Sequence, residues 1–168
     1  MSVENKMKKA SLLSFRNAPK GTLKQFRSAT TWICNYLLGN RLSEVTSVRV
    51  LFKKDLCKKE FAHGDCDWDA DTLPPRLFTI RIDKSLTRFQ QFVTLCHELI
   101  HVKQFAKGEL HDYCYRPEIS RWKRRKINVE KTDYENLPWE KEAYKFQRSL
   151  LLSWARETGN YKFIHKKK

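Results

Sequence analysis

A chain of 168 residues, 40% hydrophobic and 12% aromatic, is long enough to bury one core and too short for several domains. Aromatic content of this order excludes a disordered chain, because Phe, Tyr and Trp bring much of the apolar area that offsets chain entropy. Thirty-four Lys and Arg against nineteen Asp and Glu leave a formal charge of +15, which suits a polyanionic neighbour or a solvated basic surface equally well.

The N-terminus, MSVENKMKKASLLSF, lacks the continuous apolar stretch of a signal peptide, and residues 1–20 read as a mobile basic arm ahead of one domain over 21–160. From Thr22 to Leu42, Phe26, Ala29, Trp32, Ile33, Tyr36 and Leu37 recur at helical spacing, with a stop at Gly39-Asn40. Ser47 to Phe52 alternates and is β-branched at Val48 and Val50, as a strand would be. The acidic GDCDWDAD stretch after Lys58 reads as an edge strand running into a loop, interrupted by Pro74-Pro75, and Leu77 to Ile82 reads as the next strand.

A helix follows from Thr87 to Lys107. Thr87 and Gln90 have the spacing of a capping box, Gly108 marks the stop, and Phe89, Phe92, Val93, Cys96, Leu99 and Ile100 form a core-facing stripe. Residues 109–137 show no long periodic segment and read as loop with a hairpin around Trp122 to Val129. Pro138 opens a second helix to Glu157, with Ala143, Phe146, Leu150 and Trp154 as its core face, before a loose basic tail over 161–168.

The five cysteines, Cys34, Cys57, Cys66, Cys96 and Cys114, form no CxxC pair, which excludes the common zinc-finger and thioredoxin-like patterns. Scattered free thiols fit a reducing compartment, and no window approaches the roughly 20 apolar residues of a spanning helix. The expectation is a cytoplasmic protein that is not secreted and has no membrane partner.

The chemistry lies in His97-Glu98-Leu99-Ile100-His101. Two histidines four apart on a helix project from one face a turn apart, so both imidazoles can reach one metal ion. Zn2+ suits nitrogen ligands, and a catalytic site keeps one position for water. Glu98, one step round the helix from His97, is placed to take the proton of that water as general base. A third ligand is needed. The extended pattern with a third histidine fails, because Gln104 and Lys107 stand where its glycine and histidine would be. Glu142, in PWEKEAY at the start of the second helix, is the expected third ligand, its neighbour Ala143 allowing close helix approach; Glu140 is the rival. For a donor to the developing oxyanion, Tyr134 is the choice, with His111 and Tyr113 behind it.

HELIHVKQFAKGEL, followed by the WKRRK segment and DYENLPWEKEAY, resembles a group of small zincin-like proteins of bacteriophages and bacteria, over about residues 75–150. Similarity to SprT-like proteases, which act on DNA-bound proteins, is confined to the HExxH helix. The resemblance implies an α+β, minimal zincin-like fold: two to four strands packed on the HExxH helix, and a C-terminal helix that donates a glutamate. It implies a zinc metallopeptidase of the host cytoplasm or virion, acting on a protein or peptide substrate. In most zincins an extended substrate pairs with an edge strand, here Leu77 to Ile82 or the strand before it. It also carries the third ligand to Glu142, since that glutamate commonly precedes an alanine. One departure is Arg124 where the group has a glycine.

Arg121, Lys123, Arg124, Arg125 and Lys126 crowd around Trp122, a composition that can hold phosphates and stack a base. The competing expectation is a solvated hairpin with Trp122 tucked onto the core. A second functional reading is therefore a basic nucleic-acid-associated or virion protein on the same scaffold, or a protease recruited to nucleic acid.

Overall fold

Alternation in Ser47–Lys53 (β2) puts Val48, Val50 and Phe52 inside and Arg49 and Lys53 in solvent. In the computed structural model, which describes residues 12–69 and 72–165, β2 is one of four strands in a mixed sheet. Leu13–Arg16 (β1) and Leu77–Asp83 (β4) flank it in parallel, and Gly64–Trp68 (β3) adds antiparallel to β4 as the edge. The parallel pairs need crossovers. Leu23–Leu38 (α1) and the single turn Asn40–Ser43 (α2) join β1 to β2, and Leu56–Glu60 (α3) with β3 joins β2 to β4.

Arg88–Ala106 (α4) and Pro138–Glu157 (α5) complete the core. The capping box exists as expected: Thr87 Oγ1 accepts from Gln90 N at 3.3 Å, and Gln90 Oε1 accepts from Thr87 N at 3.0 Å. Phe92 of α4 stacks on Phe26 of α1 with centroids 4.1 Å apart and on Trp154 of α5 at 5.3 Å, and all three are fully buried. Burying each such side chain contributes about 1.5–3 kcal/mol, so this aromatic column is a main tie between the three helices. All five cysteines are free, Cys96 buried within α4.

Several expectations change. The arm expected over residues 1–20 contains β1, because Leu13 and Phe15 alternate inward and pack on the core; its first eleven residues lie outside the described ones. Helix α1, by contrast, ends at Leu38 at the expected Gly39-Asn40 stop, where Gly39 takes φ 75°. The stretch expected to be loop with a hairpin around Trp122 to Val129 is a three-stranded antiparallel sheet, Leu110–Tyr113 (β5), Arg116–Trp122 (β6) and Arg125–Asn128 (β7), whose β6–β7 turn lies at the expected hairpin. Its sequence hides this, since only Leu110 and Ser120 are buried and charged residues interrupt the alternation. Of the tail, Tyr161–Ile164 (α6) is a helical turn that buries Ile164; residues 166–168 lie outside the described ones. Phe146 is exposed rather than a core residue. The architecture is α+β, and no helix among the described residues is long and apolar enough to cross a membrane.

Candidate metal centre

The four-residue spacing on α4 brings the rings of His97 and His101 to 4.8 Å, with their Nε2 atoms 3.1 Å apart. Both are buried. The first turn of α5 closes the cluster: Glu140 Oε2 lies 3.2 Å from His97 Nε2 and Oε1 3.3 Å from His101 Nε2. These three residues offer ligand atoms that all lie within 4.8 Å of one another.

The carboxylate that joins the histidines is therefore Glu140, and the expectation of Glu142 is corrected. Successive residues of a helix turn by about 100°, so two residues separate the glutamates by about 200°. The face of α5 that meets α4 runs Glu140, Ala143, Gln147, Leu151 and Trp154. Glu142 points elsewhere, its Oε2 accepting from Gln104 Nε2 at 2.9 Å and Lys103 Nζ at 3.1 Å. A usable signal was in the sequence: with Ala143 and Trp154 inward, the first-turn residue in phase with them is three before Ala143.

Both imidazoles are oriented by amides that sequence reasoning missed. His101 Nδ1 lies 2.8 Å from Gln104 Oε1, and His97 Nδ1 lies 3.1 Å from Gln147 Oε1. The Gln104 amide nitrogen donates to the Trp139 carbonyl and to Glu142, which turns its oxygen toward His101; a carbonyl oxygen only accepts, so that ring carries its proton on Nδ1 and turns the lone pair of Nε2 inward. The Nε2 atoms of both rings and the Glu140 carboxylate then face one another in a buried space, an arrangement that a cation among the three would satisfy. This donor set, two imidazole nitrogens and one carboxylate, fits Zn2+ with a position left open.

Glu98 stands beside the cluster, buried to 5% exposure. Burial pushes its carboxyl up to about 7, the histidines pull it down, and Glu140 and Asp65 push it up. The edge strand is pressed against it. A Cβ on Gly64 would lie 3.4 Å from Glu98 Oε1, 2.5 Å from Thr94 Cγ2 and 2.7 Å from the Arg81 carbonyl oxygen, so only glycine fits without movement. Arg81 steadies that strand, pairing with Asp65 directly across it and with Glu60 at 2.8 Å.

Tyr134, in the 3-10 turn Tyr134–Asn136, is brought beside Glu140 although the residue as a whole is more than half exposed. Desolvation at the hydroxyl raises its phenol pKa above the usual range, as do the charge of Glu140, a hydrogen bond to it, and the charge of Glu98. Tyr144 of α5 sets its ring 4.8 Å from that of His97. Of the other candidates, Tyr113 lines the adjoining cavity. His111 faces a separate one beside Pro74 and Gly108.

Two cavities meet at the cluster. One of about 540 Å³ extends past His101 between β3 and the second sheet, and one of about 1060 Å³ extends past His97 to His63 and Gln147. Gly64, Asp65, Glu98 and Tyr134 line both, so together they form a groove with β3 along one wall. Comparison with protein-family models, curated proteins and solved structures finds no match to this chain.

Proposed function

We propose that the protein is a zinc-dependent metallopeptidase on a zincin-like scaffold, with His97, His101 and Glu140 as ligands and Glu98 as general base. The observation that carries this reading is the convergence of two Nε2 atoms and a carboxylate beside a fourth group, the non-ligating carboxylate of Glu98. A purely structural site has no use for that fourth group.

When bound, zinc supplies an acidified water and polarises the substrate carbonyl. The protein's own groups do the rest. Glu98 accepts the proton of the attacking water and passes it to the leaving amine. Tyr134 is placed to donate a hydrogen bond to the oxygen that gains charge. Of the two strands expected to pair with substrate, β4 is internal, so β3 is the one with a free edge. Its course sets the direction of binding. Gly64 lies against Thr94 and Glu98, while Trp68 lies 5.6 Å from Phe105, so β3 and α4 run the same way. A substrate pairing antiparallel to β3 places residues before the scissile bond in the cavity past His101, and residues after it in the cavity past His97.

Zinc stoichiometry and cleavage of an unfolded protein test this together. About one zinc per chain is expected in wild type and in Glu98→Gln, and little in His97→Ala or Glu140→Ala; only wild type should cleave, Glu98→Gln falling roughly 10²–10⁴-fold. A folded wild type that takes up no zinc at neutral pH would defeat the proposal.

A protease recruited to nucleic acid is a second reading, favoured by the β6–β7 hairpin. Lys123 to Lys126 are exposed there, and the Lys123 ammonium lies 4.8 Å over the Trp122 ring. Trp122 itself packs against the core, 6.2 Å from Trp139, so the cations rather than the indole would meet phosphates. Duplex DNA binding that weakens with salt and is lost when Lys123, Arg124, Arg125 and Lys126 become serine would support it; salt-insensitive binding, or none, would remove it. A cytoplasmic or virion location accords with either reading.

A further inference from the structure

Glu142 does not reach the histidines, but it acts on one of them at one remove. Gln104 is fully buried, and its amide spans from His101 Nδ1 on one side to two acceptors on the other: the Trp139 carbonyl at 3.0 Å and Glu142 Oε2 at 2.9 Å. A glutamine amide is nearly symmetric in shape, and its two orientations differ only in the hydrogen bonds they make. With nitrogen toward His101, the ring would have to accept at Nδ1 and carry its proton on Nε2, the atom turned toward Glu140 and His97. That proton would block ligation. The same flip would set the amide oxygen against two acceptors. Glu142 is the stronger of the two, being a carboxylate also held by Lys103 Nζ at 3.1 Å.

We propose that Glu142 is a positioning residue for the metal centre: through Gln104 it holds His101 in the tautomer whose Nε2 is free to ligate. This rests on the metal reading above. His97 has a looser arrangement. Its Nδ1 meets Gln147 Oε1 at 3.1 Å, but no acceptor holds the Gln147 amide nitrogen among the described residues. The two ligands are thus held unequally, and the tautomer of His101 is tied through Gln104 to the Lys103–Glu142 ion pair.

Three proteins test this: wild type, Glu142→Ala, and Glu142→Gln, whose amide oxygen can still accept from Gln104 Nε2. Zinc affinity is read by competition with a chromophoric chelator, and the His101 tautomer of the zinc-free protein by long-range ¹H–¹⁵N NMR. Glu142→Ala should bind zinc about 10–100-fold more weakly and show a population of His101 with its proton on Nε2, and Glu142→Gln should stay within a few-fold of wild type. Zinc affinity and His101 signals unchanged in Glu142→Ala would overturn the proposal and leave the metal site standing. Weakened affinity in Glu142→Ala with the His101 tautomer unchanged would mean that Glu142 only packs, which also overturns it. A wild type that binds no zinc would defeat the metal reading instead; the tautomer would still report on Glu142.

Discussion

Alanine at Gly64 tests how closely the edge strand is fitted to the helix that carries the site. The added carbon would stand 2.5 Å from Thr94 Cγ2 and 2.7 Å from the Arg81 carbonyl oxygen, where ordinary contact begins at 3.4 Å. Thr94 is held on α4, and Arg81 belongs to the internal strand β4, so β3 must shift by most of an ångström. Overpacking costs about 1–3 kcal/mol, and falls in the upper half of that range here because one obstacle is backbone; less about 1 kcal/mol from the stiffer unfolded chain, the net cost is about 1–2 kcal/mol. At about 2–4 °C per kcal/mol for a domain of this size, Tm should fall by roughly 2–8 °C. Thr94→Ser removes the nearer obstacle and leaves the carbonyl, so the double variant should recover part of the loss and not all of it. Urea unfolding of the four proteins of this cycle measures each free energy. A Gly64→Ala protein as stable as wild type, or a loss that Thr94→Ser does not reduce, would refute the contact.

Three further outcomes are expected. Phe92→Ala, which empties the middle of the Phe26–Phe92–Trp154 column, should cost about 3–5 kcal/mol in urea unfolding at neutral pH. Burial alone would raise the carboxyl pKa of Asp83, but the backbone N–H groups of Cys57 and Ser85 hold it well below the ordinary range. A depressed folded-state pKa contributes stability above the unfolded value of about 4 and loses it as pH falls toward the folded one, so Asp83→Asn should be clearly less stable at pH 7 and approach wild type by about pH 2. Among the described residues, the cavity past His101 is lined by Asp65, Glu98, Asp112 and Glu140 and by no Lys or Arg. Model peptides with Lys immediately before the scissile bond should therefore be cleaved with higher kcat/KM than those with Glu, and a preference in the other direction would contradict the substrate polarity inferred from β3.

Much of the site was legible because its logic is local. The four-residue spacing of His97 and His101, the capping box at Thr87, the alternation of β2 and the proline start of α5 each depend on residues within a turn or two of one another. Such features survive any tertiary arrangement compatible with the elements. The second sheet was hidden for the opposite reason: it is half exposed, so its polar residues mask the period of two.

The sequence by itself determined that a helix presents two histidines on one face with a glutamate beside them, and that a carboxylate-bearing helix follows. Only the tertiary structure decided which carboxylate completes the cluster. That choice depends on how α5 is rotated against α4, a contact between residues about 40 apart in the chain, set by burial of Ala143, Leu151 and Trp154 and invisible to the spacing of Glu140 and Glu142 alone. The same rotation brought Gln147 to His97 and Glu142 to Gln104. The crossover that places β4 inside the sheet left β3 as the free edge over Glu98. Local period is written residue by residue, whereas the relative phase of two packed elements is settled by the whole buried interface at once.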